Sequence, residues 1–488
     1  MKSLNLFFIY PFALTLLTSC QKETLEPVEN VQQTASQTLL GKQLPIPFTV
    51  EVMQQAYDNL KHNPTAIKHY PFAAKGEEVR ITASHYYYRF LPKDSLQYET
   101  LVNDTILMVS DVPFEYDILT QGDHYHDPEL QASDFTYYYA TVAVDHSLPE
   151  DMETTQLAEL YFPPEEDTEI LDKTSTQFKD FGPSFFKDLE TEAFKITNNL
   201  DEEELHSLRF IHPDGEGTIT YETAKAKGYR LSDLHIDYSQ SPFQQRSRWE
   251  PHGRVTVEED AIDQVVGVMG AEIRVRKWGF LVIRKATTDR NGYFTTRSTP
   301  AKRVKYAIYF KTVPHGFTVK AGTVFWDARH RSKRKHKQEG WSQHFKNGSR
   351  SHLYALVHNA AFDYYDRVVE EYGIQKPRRG IRISAKFDKN VSSQSRPHLP
   401  LVSDIRITRI SGGYYRGSDG IYATTVHELT HAGHRKLDTH MFDFLTTNNK
   451  ERELMIESWA EGVETIITND RYQALDPGYY NEAENIGW

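Results

Sequence analysis

The stretch His427-Glu428-Leu429-Thr430-His431 constrains the local fold and the chemistry of this chain more than any other. In a helix, residues four apart lie one above the other on the same face, so the two imidazoles can bind one divalent cation, with zinc the expected ion. Glu428 then lies beside the cation, where a carboxylate can activate a metal-bound water. The flanking residues contain no proline, and Ser418 or Asp419 is the expected N-cap. The motif therefore predicts a helix that carries a metal site.

A catalytic zinc usually has three protein ligands and one water, so a third ligand is required. The three-histidine pattern HExxHxxGxxH is not met, because His434 stands in the position of its glycine and Leu437 in that of its last histidine. Downstream, apolar residues at helical spacing surround Glu457 and Glu461, which are four apart and share a face. Either glutamate is a candidate ligand, and the other would then orient a ligand from outside the coordination sphere. His434 is a candidate to line the cleft, or it is an ordinary hydrogen-bonded histidine near a helix end.

The combination of HExxH with a later helical glutamate resembles the gluzincin metallopeptidases. The phrase Trp459-Ala460-Glu461-Gly462 is similar to the Trp-x(1–2)-Glu-Gly phrase of the aminopeptidase-like members, whose glutamate binds zinc. That similarity favours Glu461 as the third ligand. The thermolysin-like pattern, Glu-x-x-x-Asp, would place the ligand at Glu457 instead. The resemblance implies a zincin-like α+β catalytic domain over residues 315–488.

The same resemblance implies peptide-bond hydrolysis with one Zn²⁺ and a peptide or protein substrate. It makes Glu428 the catalytic base. Gluzincins usually add a tyrosine or histidine that stabilises the oxyanion. The candidates are tyrosines before and after the two motifs: Tyr472, Tyr479 and Tyr480, with Tyr414 and Tyr415 as alternatives.

The N-terminal residues predict an export signal. Residues 1–19 combine Lys2 with an apolar stretch, and Leu17-Thr18-Ser19-Cys20 resembles the lipobox of a bacterial lipoprotein. The resemblance implies a lipid on Cys20, a flexible tether over residues 20–45, and anchoring to the bacterial outer membrane, with exposure at the cell surface as one option. An ordinary secretory signal is the alternative. Cys20 is the only cysteine, so no intrachain disulfide can form.

Length and composition predict a multidomain protein of mixed α+β type. The chain has 488 residues and a net charge of −12, which disfavours nucleic acid as a partner. Residues 46–250 read as an α+β region to which no chemistry is assigned. Residues 255–312 resemble the small β-sandwich found beside metallocarboxypeptidases, on the phrase Thr287-Thr288-Asp289-Arg290-Asn291-Gly292-Tyr293-Phe294. The Asn-Gly pair within it predicts a tight turn between strands.

Three further segments carry expectations. The run Asp123-His124-Tyr125-His126-Asp127 predicts a polar loop in preference to a metal site. The basic run Arg329–Lys337 predicts a solvated loop. The resemblance to gluzincins implies that residues 401–410 form the edge strand beside the cleft, where an extended peptide can pair with it. A rival function comes from another class: a surface-anchored binding or adhesion lipoprotein whose zinc is structural or vestigial.

Overall fold

The structure is a computed structural model. It describes most of the chain from residue 37 onwards, which is after the predicted signal and most of the predicted tether. The described residues are 37–72, 79–104, 106–130, 135–163, 178, 181–239, 248–322, 326–390, 393–395, 403–442 and 450–479. They form a mixed α+β fold with several sheets, as the composition predicted. Cys20 and Tyr480 lie outside the described residues. No helix among the described residues is long and apolar enough to cross a membrane.

The N-terminal region alternates short strands with helices. Its strands are β1 (Leu39–Gln43), β2 (His85–Leu91), β3 (Tyr116–Thr120), β4 (Tyr138–Ala143), β5 (Glu153–Leu160), β6 (Arg209–Ile211) and β7 (Thr218–Thr220). Its helices are α1 (Val50–His62), α2 (Ser95–Asn103), α3 (Gly182–Ile196), α4 (Glu202–Ser207) and α5 (Tyr221–Ala226). β2 is the centre of the sheet β4-β2-β5, and β1 pairs with β3. The prediction that the flexible tether extends to residue 45 is therefore wrong at its C-terminal end, because Leu39–Gln43 pair with β3 of the folded body.

Two sheets follow at the position of the predicted β-sandwich. Their first six strands are β8 (His252–Glu259), β9 (Gln264–Gly267), β10 (Glu272–Lys277), β11 (Leu281–Thr287), β12 (Tyr293–Thr295) and β13 (Arg303–Tyr309). Two strands of another sheet follow, β14 (Lys311–Thr312) and β15 (Phe317–Ala321). The last three strands of the two sheets are β16 (Arg329–Arg331), β17 (His336–Lys337) and β18 (Gln343–Phe345). One sheet has the order β11-β10-β13-β16, with β17 also on β13, and the other has the order β12-β8-β18, with β9 on β8. The predicted turn is present: Gly292 has a φ of +81°, and a Cβ there would lie 1.9 Å from the carbonyl oxygen of Val255. The strands that it joins belong to different sheets.

The predicted solvated loop at Arg329–Lys337 is wrong. Arg329 and Arg331 lie on β16, and Arg329 is buried. Both guanidiniums are within ion-pair distance of Asp111, a buried carboxylate from the N-terminal region. A basic run can be buried when another part of the chain supplies the counter-charge.

The C-terminal part is built on a mostly parallel sheet. Its elements are β14 (Lys311–Thr312), β15 (Phe317–Ala321), α6 (Arg350–Asp363), a π-helical turn (Tyr364–Val368), α7 (Val369–Tyr372), β19 (Ile381–Asn390), β20 (Gln394–Ser395), β21 (Ile405–Ser411), β22 (Tyr414–Tyr415), α8 (Ser418–Leu437) and α9 (Lys450–Leu475). The sheet order is β14-β15-β19-β21-β20, with β15, β19 and β21 parallel. The connection from β15 to β19 passes through β16, β17, β18 and α6, a long crossover of the kind that parallel neighbours require. Two longer strands, β19 and β21, and two short strands, β20 and β22, lie between α7 and α8.

The expectation that 401–410 is the edge strand needs correction. β21 begins at Ile405, and the two-residue strand β20 pairs antiparallel with its outer side at Ile405 and Arg406. β22 covers its other end, at Ile410 and Ser411. The edge of the sheet beside α8 is therefore shared among short strands.

One continuous hydrophobic core joins the two sheets at 252–345 to the C-terminal sheet and its helices. Val257, Ile273 and Ile308 from the former belong to the same buried cluster as Ile383 and Val426 from the latter. The boundary predicted between residues 312 and 315 therefore falls inside a shared core. A second core lies in the N-terminal region and includes Trp278 and Phe280 of the β10–β11 turn.

Candidate metal centre

The motif helix α8 is capped by a residue from a distant loop. Its N-cap is Gly417, one residue before Ser418, the first of the two predicted caps. Glycine has no side chain that could accept a hydrogen bond from the first turn. Instead the backbone N–H of Ser418 donates to Asp260 Oδ1 at 2.8 Å, and the hydroxyl of Ser418 accepts from the backbone N–H of Ala261 at 3.1 Å. The turn after β8 thus supplies both a cap and a negative charge at the positive end of the helix.

A glycine lets the C-terminal half of α8 pack closely. A Cβ at Gly433 would lie 2.3 Å from the carbonyl oxygen of Gln375, closer than a real Cβ can approach. Gly433 lies two residues after His431. Val426 and Leu429, which lie seven and four residues before Gly433 on the same face of the helix, are buried in the shared core, so the direction in which the histidines point is fixed by packing.

The second helix of the site, α9, is anchored by a buried carboxylate on β8. Glu259 accepts hydrogen bonds from Arg471 Nη2 at 2.9 Å and from the hydroxyl of Tyr472 at 2.7 Å. α9 also packs along α8. These contacts fix where the glutamates of α9 lie relative to the histidines of α8.

Three donor atoms from the two helices converge. His427 Nε2 and His431 Nε2 are 2.9 Å apart, and each lies 3.2 Å from Glu457 Oε2. Zinc bonds of 2.0–2.2 Å in a tetrahedron separate neighbouring ligand atoms by about 3.3 Å. The three atoms therefore match one face of a zinc tetrahedron. The side chain of Glu457 is 48% exposed, so solvent reaches this group of atoms.

The two other glutamates on this face of α9 lie near the other ring nitrogen of His427, Nδ1. Glu464 Oε2 is 2.8 Å from His427 Nδ1, and Glu461 Oε2 is 3.8 Å from the same nitrogen. The favoured ligand, Glu461, is thus not grouped with both Nε2 atoms, and the alternative, Glu457, is. Glu464 was missed by the sequence analysis. Its position seven residues after Glu457, two helical turns on the same face, was the available signal.

Glu428 has the environment of a base. The residue is 5% exposed, and its Oε2 has no hydrogen-bond partner among the described residues. Burial raises the pKa of Glu428 to about 7, while His427 lowers it and Glu457 raises it. A buried carboxylate with a free lone pair can accept a proton from a water beside it.

The electrostatic potential at His427 is strongly negative. Burial lowers the pKa of His427, but bonds to Glu457 and Glu464 outweigh it and raise that pKa to about 10. Hydrogen bonds from both histidines hold the pKa of Glu457 well below its ordinary value. The potential that holds a proton on His427 would also attract a divalent cation.

The tyrosines proposed as oxyanion stabilisers are dispersed. Tyr472 is fully buried and donates to Glu259, so its hydroxyl cannot reach a substrate, and that candidate is wrong. Tyr479 donates to Asp419 Oδ2 at 2.9 Å, at the start of α8. Tyr414 and Tyr415 on β22 are exposed. None of these hydroxyls is hydrogen-bonded to Glu428 or to the three converging atoms.

The Asp123 to Asp127 run lies in a loop, as predicted, but a buried one. Asp123 accepts from the hydroxyl of Tyr354 at 2.5 Å and pairs with Arg350. The ring of His124 stacks on Trp326 with centroids 3.8 Å apart. These groups hold the N-terminal region against the rest of the protein.

Comparison of the chain with protein-family models, with curated proteins and with solved structures gives no match.

Proposed function

We propose that this protein is a zinc-dependent peptidase with a zincin-like catalytic region over residues 315–488. The proposal depends on one observation, the convergence of His427 Nε2, His431 Nε2 and Glu457 Oε2 at distances of 2.9–3.2 Å beside an unpartnered Glu428 oxygen. Of the two glutamates considered from the sequence, the proposal takes Glu457 as the third ligand.

When bound, zinc would supply a water of lowered pKa and polarise the scissile carbonyl. Glu428 would accept the proton of the attacking water and deliver it to the leaving amine. Glu464 would hold His427 in one orientation by accepting from its Nδ1–H, as outer carboxylates do for metal-bound imidazoles.

The sheet edge beside α8 offers a place for an extended peptide. Arg435 Nη1 donates to Ser395 Oγ at 3.1 Å, and Arg416 Nη1 donates to Ser393 Oγ at 3.0 Å. These bonds connect the short edge strand to the two ends of α8. We propose that substrate lies along this edge, where main-chain hydrogen bonds give affinity without strong side-chain selection.

The test separates the metal from the chemistry. Glu428→Ala should retain stoichiometric zinc and lose hydrolysis of a peptide library by at least 100-fold, the scale of general-base catalysis. His431→Ala should lose both. Glu453→Ala, an exposed glutamate on α9, is the matched control and should change neither. A fully active Glu428→Ala protein would show that the mechanism is wrong.

The rival function, a binding or adhesion lipoprotein with a structural zinc, predicts a different result. In that case metal analysis would find zinc, and no peptide in the library would be cleaved with or without chelator.

We also propose that the protein is anchored to the bacterial envelope through a lipid on Cys20. Labelling with a fatty acid analogue should mark the natural protein and should not mark a Cys20→Ser variant. If both are labelled equally, or neither is, the anchoring proposal fails and the peptidase proposal is unaffected.

A further inference from the structure

An arginine of the motif helix lies between the proposed metal centre and the sheet edge proposed for substrate. Arg435 follows Glu428 by seven residues and His431 by four. Seven residues are two helical turns, so Arg435 and Glu428 lie on the same face of α8. The proposed chemistry gives Arg435 no role.

The guanidinium of Arg435 contacts the edge strand on one side and an aromatic ring on the other. Its Nη1 donates to Ser395 Oγ on β20 at 3.1 Å. Its carbon lies 4.5 Å from the centre of the Phe442 ring, and that ring is 6.2 Å, centre to centre, from the ring of His431. Arg435 therefore lies at the junction of the sheet edge and the metal-facing side of α8.

These contacts leave part of the guanidinium unused. Ser395 offers a neutral hydroxyl, and Phe442 offers no oxygen or nitrogen acceptor. Nε of Arg435 is shielded from solvent and has no hydrogen-bond partner among the described residues. The bond to Ser395 is the one hydrogen bond that the guanidinium makes to a described residue. The Nε and Nη2 side thus keeps its donors, and a shielded donor without an acceptor is unfavourable.

The other arginines with a shielded, unbonded nitrogen differ from Arg435 in one respect. In the part of the chain that the structure describes, they are Arg89, Arg329, Arg409 and Arg471. Each of these four forms an ion pair, with Glu129, Asp111, Asp260 and Glu259 respectively. Arg435 forms none with any described carboxylate. The unmatched cation of this set is therefore the one beside the proposed active site.

The carboxylates that act on Arg435 from a distance have other roles. Asp404 pairs with Arg378 at 2.7 Å and with Arg382 at 3.3 Å. Glu428 is the proposed base. Burial lowers the pKa of Arg435, and Glu428 and Asp404 oppose that shift without cancelling it. Arg435 would therefore gain from a carboxylate supplied by a ligand.

We propose that Arg435 binds a carboxylate of the peptide substrate and makes the protein selective for peptides with a negative charge close to the cleaved bond. This inference rests on the proposed peptidase function. A carboxylate can accept from Nε–H and Nη2–H together, which is the bidentate pairing that a guanidinium favours. Main-chain pairing along the sheet edge selects no side chain, so Arg435 would supply the selection.

The structure also limits where the carboxylate lies on the substrate. Two turns of helix span about 10 Å, and one residue of an extended peptide spans about 3.3 Å, so the charge lies within about three residues of the cleaved bond. Phe442 belongs to a short turn, His440–Phe442, in which no residue is buried. Such a turn is weakly held, so an entering carboxylate can displace Phe442 from the guanidinium.

Two sources can supply this carboxylate, an acidic side chain or the C-terminus of the peptide, and matched peptides distinguish them. A peptide that the natural protein cleaves is taken from a random library. Each Asp or Glu is changed to Asn or Gln in turn, and in a separate peptide the C-terminus is amidated. One of these changes should lower kcat/KM by about 10–100-fold, the scale of a hydrogen bond to a charged group. If none does, the selectivity proposal fails and the peptidase proposal stands.

Variants assign the effect to Arg435. Arg435→Gln should lower kcat/KM for the charged peptide by the same factor and leave that for the neutral peptide unchanged. A structural disturbance of α8 would lower both, so the ratio of the two is the readout. Lys436→Gln is the matched control, because Lys436 is exposed and its Nζ donates to Lys376 O at 3.1 Å. It should keep the ratio of the natural protein, and the same ratio in Arg435→Gln would overturn the proposal.

Arg435→Lys covers the case in which Arg435→Gln does not fold. Lysine keeps the positive charge but cannot form the bidentate pair, so the ratio should still fall several-fold. An unchanged ratio in Arg435→Lys would contradict the bidentate pairing proposed for Nε and Nη2.

A binding measurement separates this proposal from the peptidase proposal. The Glu428→Ala protein, loaded with zinc, captures peptides from the library, made with free and with amidated C-termini, and the captured peptides are sequenced. Enrichment of charged over neutral peptides that disappears in a Glu428→Ala/Arg435→Gln double variant would support the carboxylate site, even if the natural protein cleaves nothing. Equal capture by the single and double variants would contradict the site, even if the natural protein is an active peptidase.

Discussion

Glu457 and Glu461 lie one turn apart on α9, and that turn decides which carboxylate reaches both histidine Nε2 atoms. Glu457 Oε2 lies 3.2 Å from each of them, whereas Glu461 Oε2 lies 3.8 Å from His427 Nδ1. We therefore expect Glu457→Ala to lose stoichiometric zinc in metal analysis and Glu461→Ala to retain it.

Glu464→Gln is the graded comparison for these two variants. It keeps a hydrogen-bond acceptor for His427 but removes the charge, so zinc should still bind with an affinity lowered by about 10–100-fold. If Glu461→Ala loses zinc and Glu457→Ala retains it, the ligand assignment made from the sequence phrase is restored.

The phrase Trp459-Ala460-Glu461-Gly462 explains why the sequence favoured a different glutamate. Trp459 is 51% exposed, and a Cβ at Gly462 would meet nothing within 4 Å. Neither residue therefore has a packing role that would tie Glu461 to the metal. HExxH and the helical pair of glutamates were readable from the sequence, but the choice within the pair depends on the rotation of α9, which Glu259 sets from a separate strand.

Tyr472→Phe tests whether the buried tyrosine is structural. The variant removes the 2.7 Å hydrogen bond to Glu259 and leaves a buried carboxylate with one donor fewer. The free energy of unfolding should fall by about 1–3 kcal/mol. Hydrolysis per folded molecule should not change, and chemical denaturation together with a peptidase assay measures both. Unchanged stability together with reduced turnover would instead show that Tyr472 acts in the active site.

Two glycines, one on each helix of the site, give a matched pair of substitutions. Gly433→Ala would place a Cβ 2.3 Å from Gln375 O, so either α8 or the segment after α7 must move. We expect it to destabilise the protein by about 1–3 kcal/mol, the usual cost of overpacking, and to weaken zinc binding because His431 is two residues away.

Gly462→Ala is the control, in an open position on α9. Alanine favours the helix over glycine by up to about 1 kcal/mol, so this variant should be neutral or slightly more stable. Thermal unfolding with and without zinc measures both variants. Equal stability of the two would contradict the close packing of α8 on residue 375.

Elements with a strong local pattern were predictable, and those that depend on distant partners were not. α6 and its continuation to Tyr372 follow from helical spacing, and Gly373 ends the helix with a φ of +62° as a C-cap glycine should. By contrast, β16 is a strand only because it pairs with β13 and because Asp111 neutralises its arginines. Neither cause is visible in a window around residue 330.

The arrangement of the whole protein explains why a domain boundary was misplaced by sequence. The strands of 252–309 are completed by β16, β17 and β18, while β14 and β15 between them belong to the C-terminal sheet. After β13 the chain leaves this pair of sheets and forms β14 and β15 of the C-terminal sheet. It then returns to the pair of sheets at β16. Asp260 caps α8 and Glu259 anchors α9, so the segment that resembled a small β-sandwich holds both helices of the site.

The shared core also makes stability depend on pH. His358 on α6 is fully buried, and its Nε2 lies 2.9 Å from the carbonyl oxygen of Met269, in the segment between β9 and β10. Burial lowers the pKa of His358 to about 4 from 6.5. The folded chain therefore binds this proton more weakly than the unfolded chain. The stability contributed by neutral His358 is complete above pH 6.5 and is lost as the pH falls towards 4.

For His358 alone, this linkage amounts to about 2 kcal/mol between pH 8 and pH 5. His358→Gln keeps a donor for Met269 O without a titrating group, so the difference in unfolding free energy between the variant and the natural protein should shift by that amount across the same range. Denaturation at a series of pH values measures it, and the comparison cancels the groups common to both proteins. A difference that stays constant from pH 8 to pH 5 would mean that the core does not hold His358 in its neutral form. The packing between α6 and the segment around Met269 would then be looser than the structure shows.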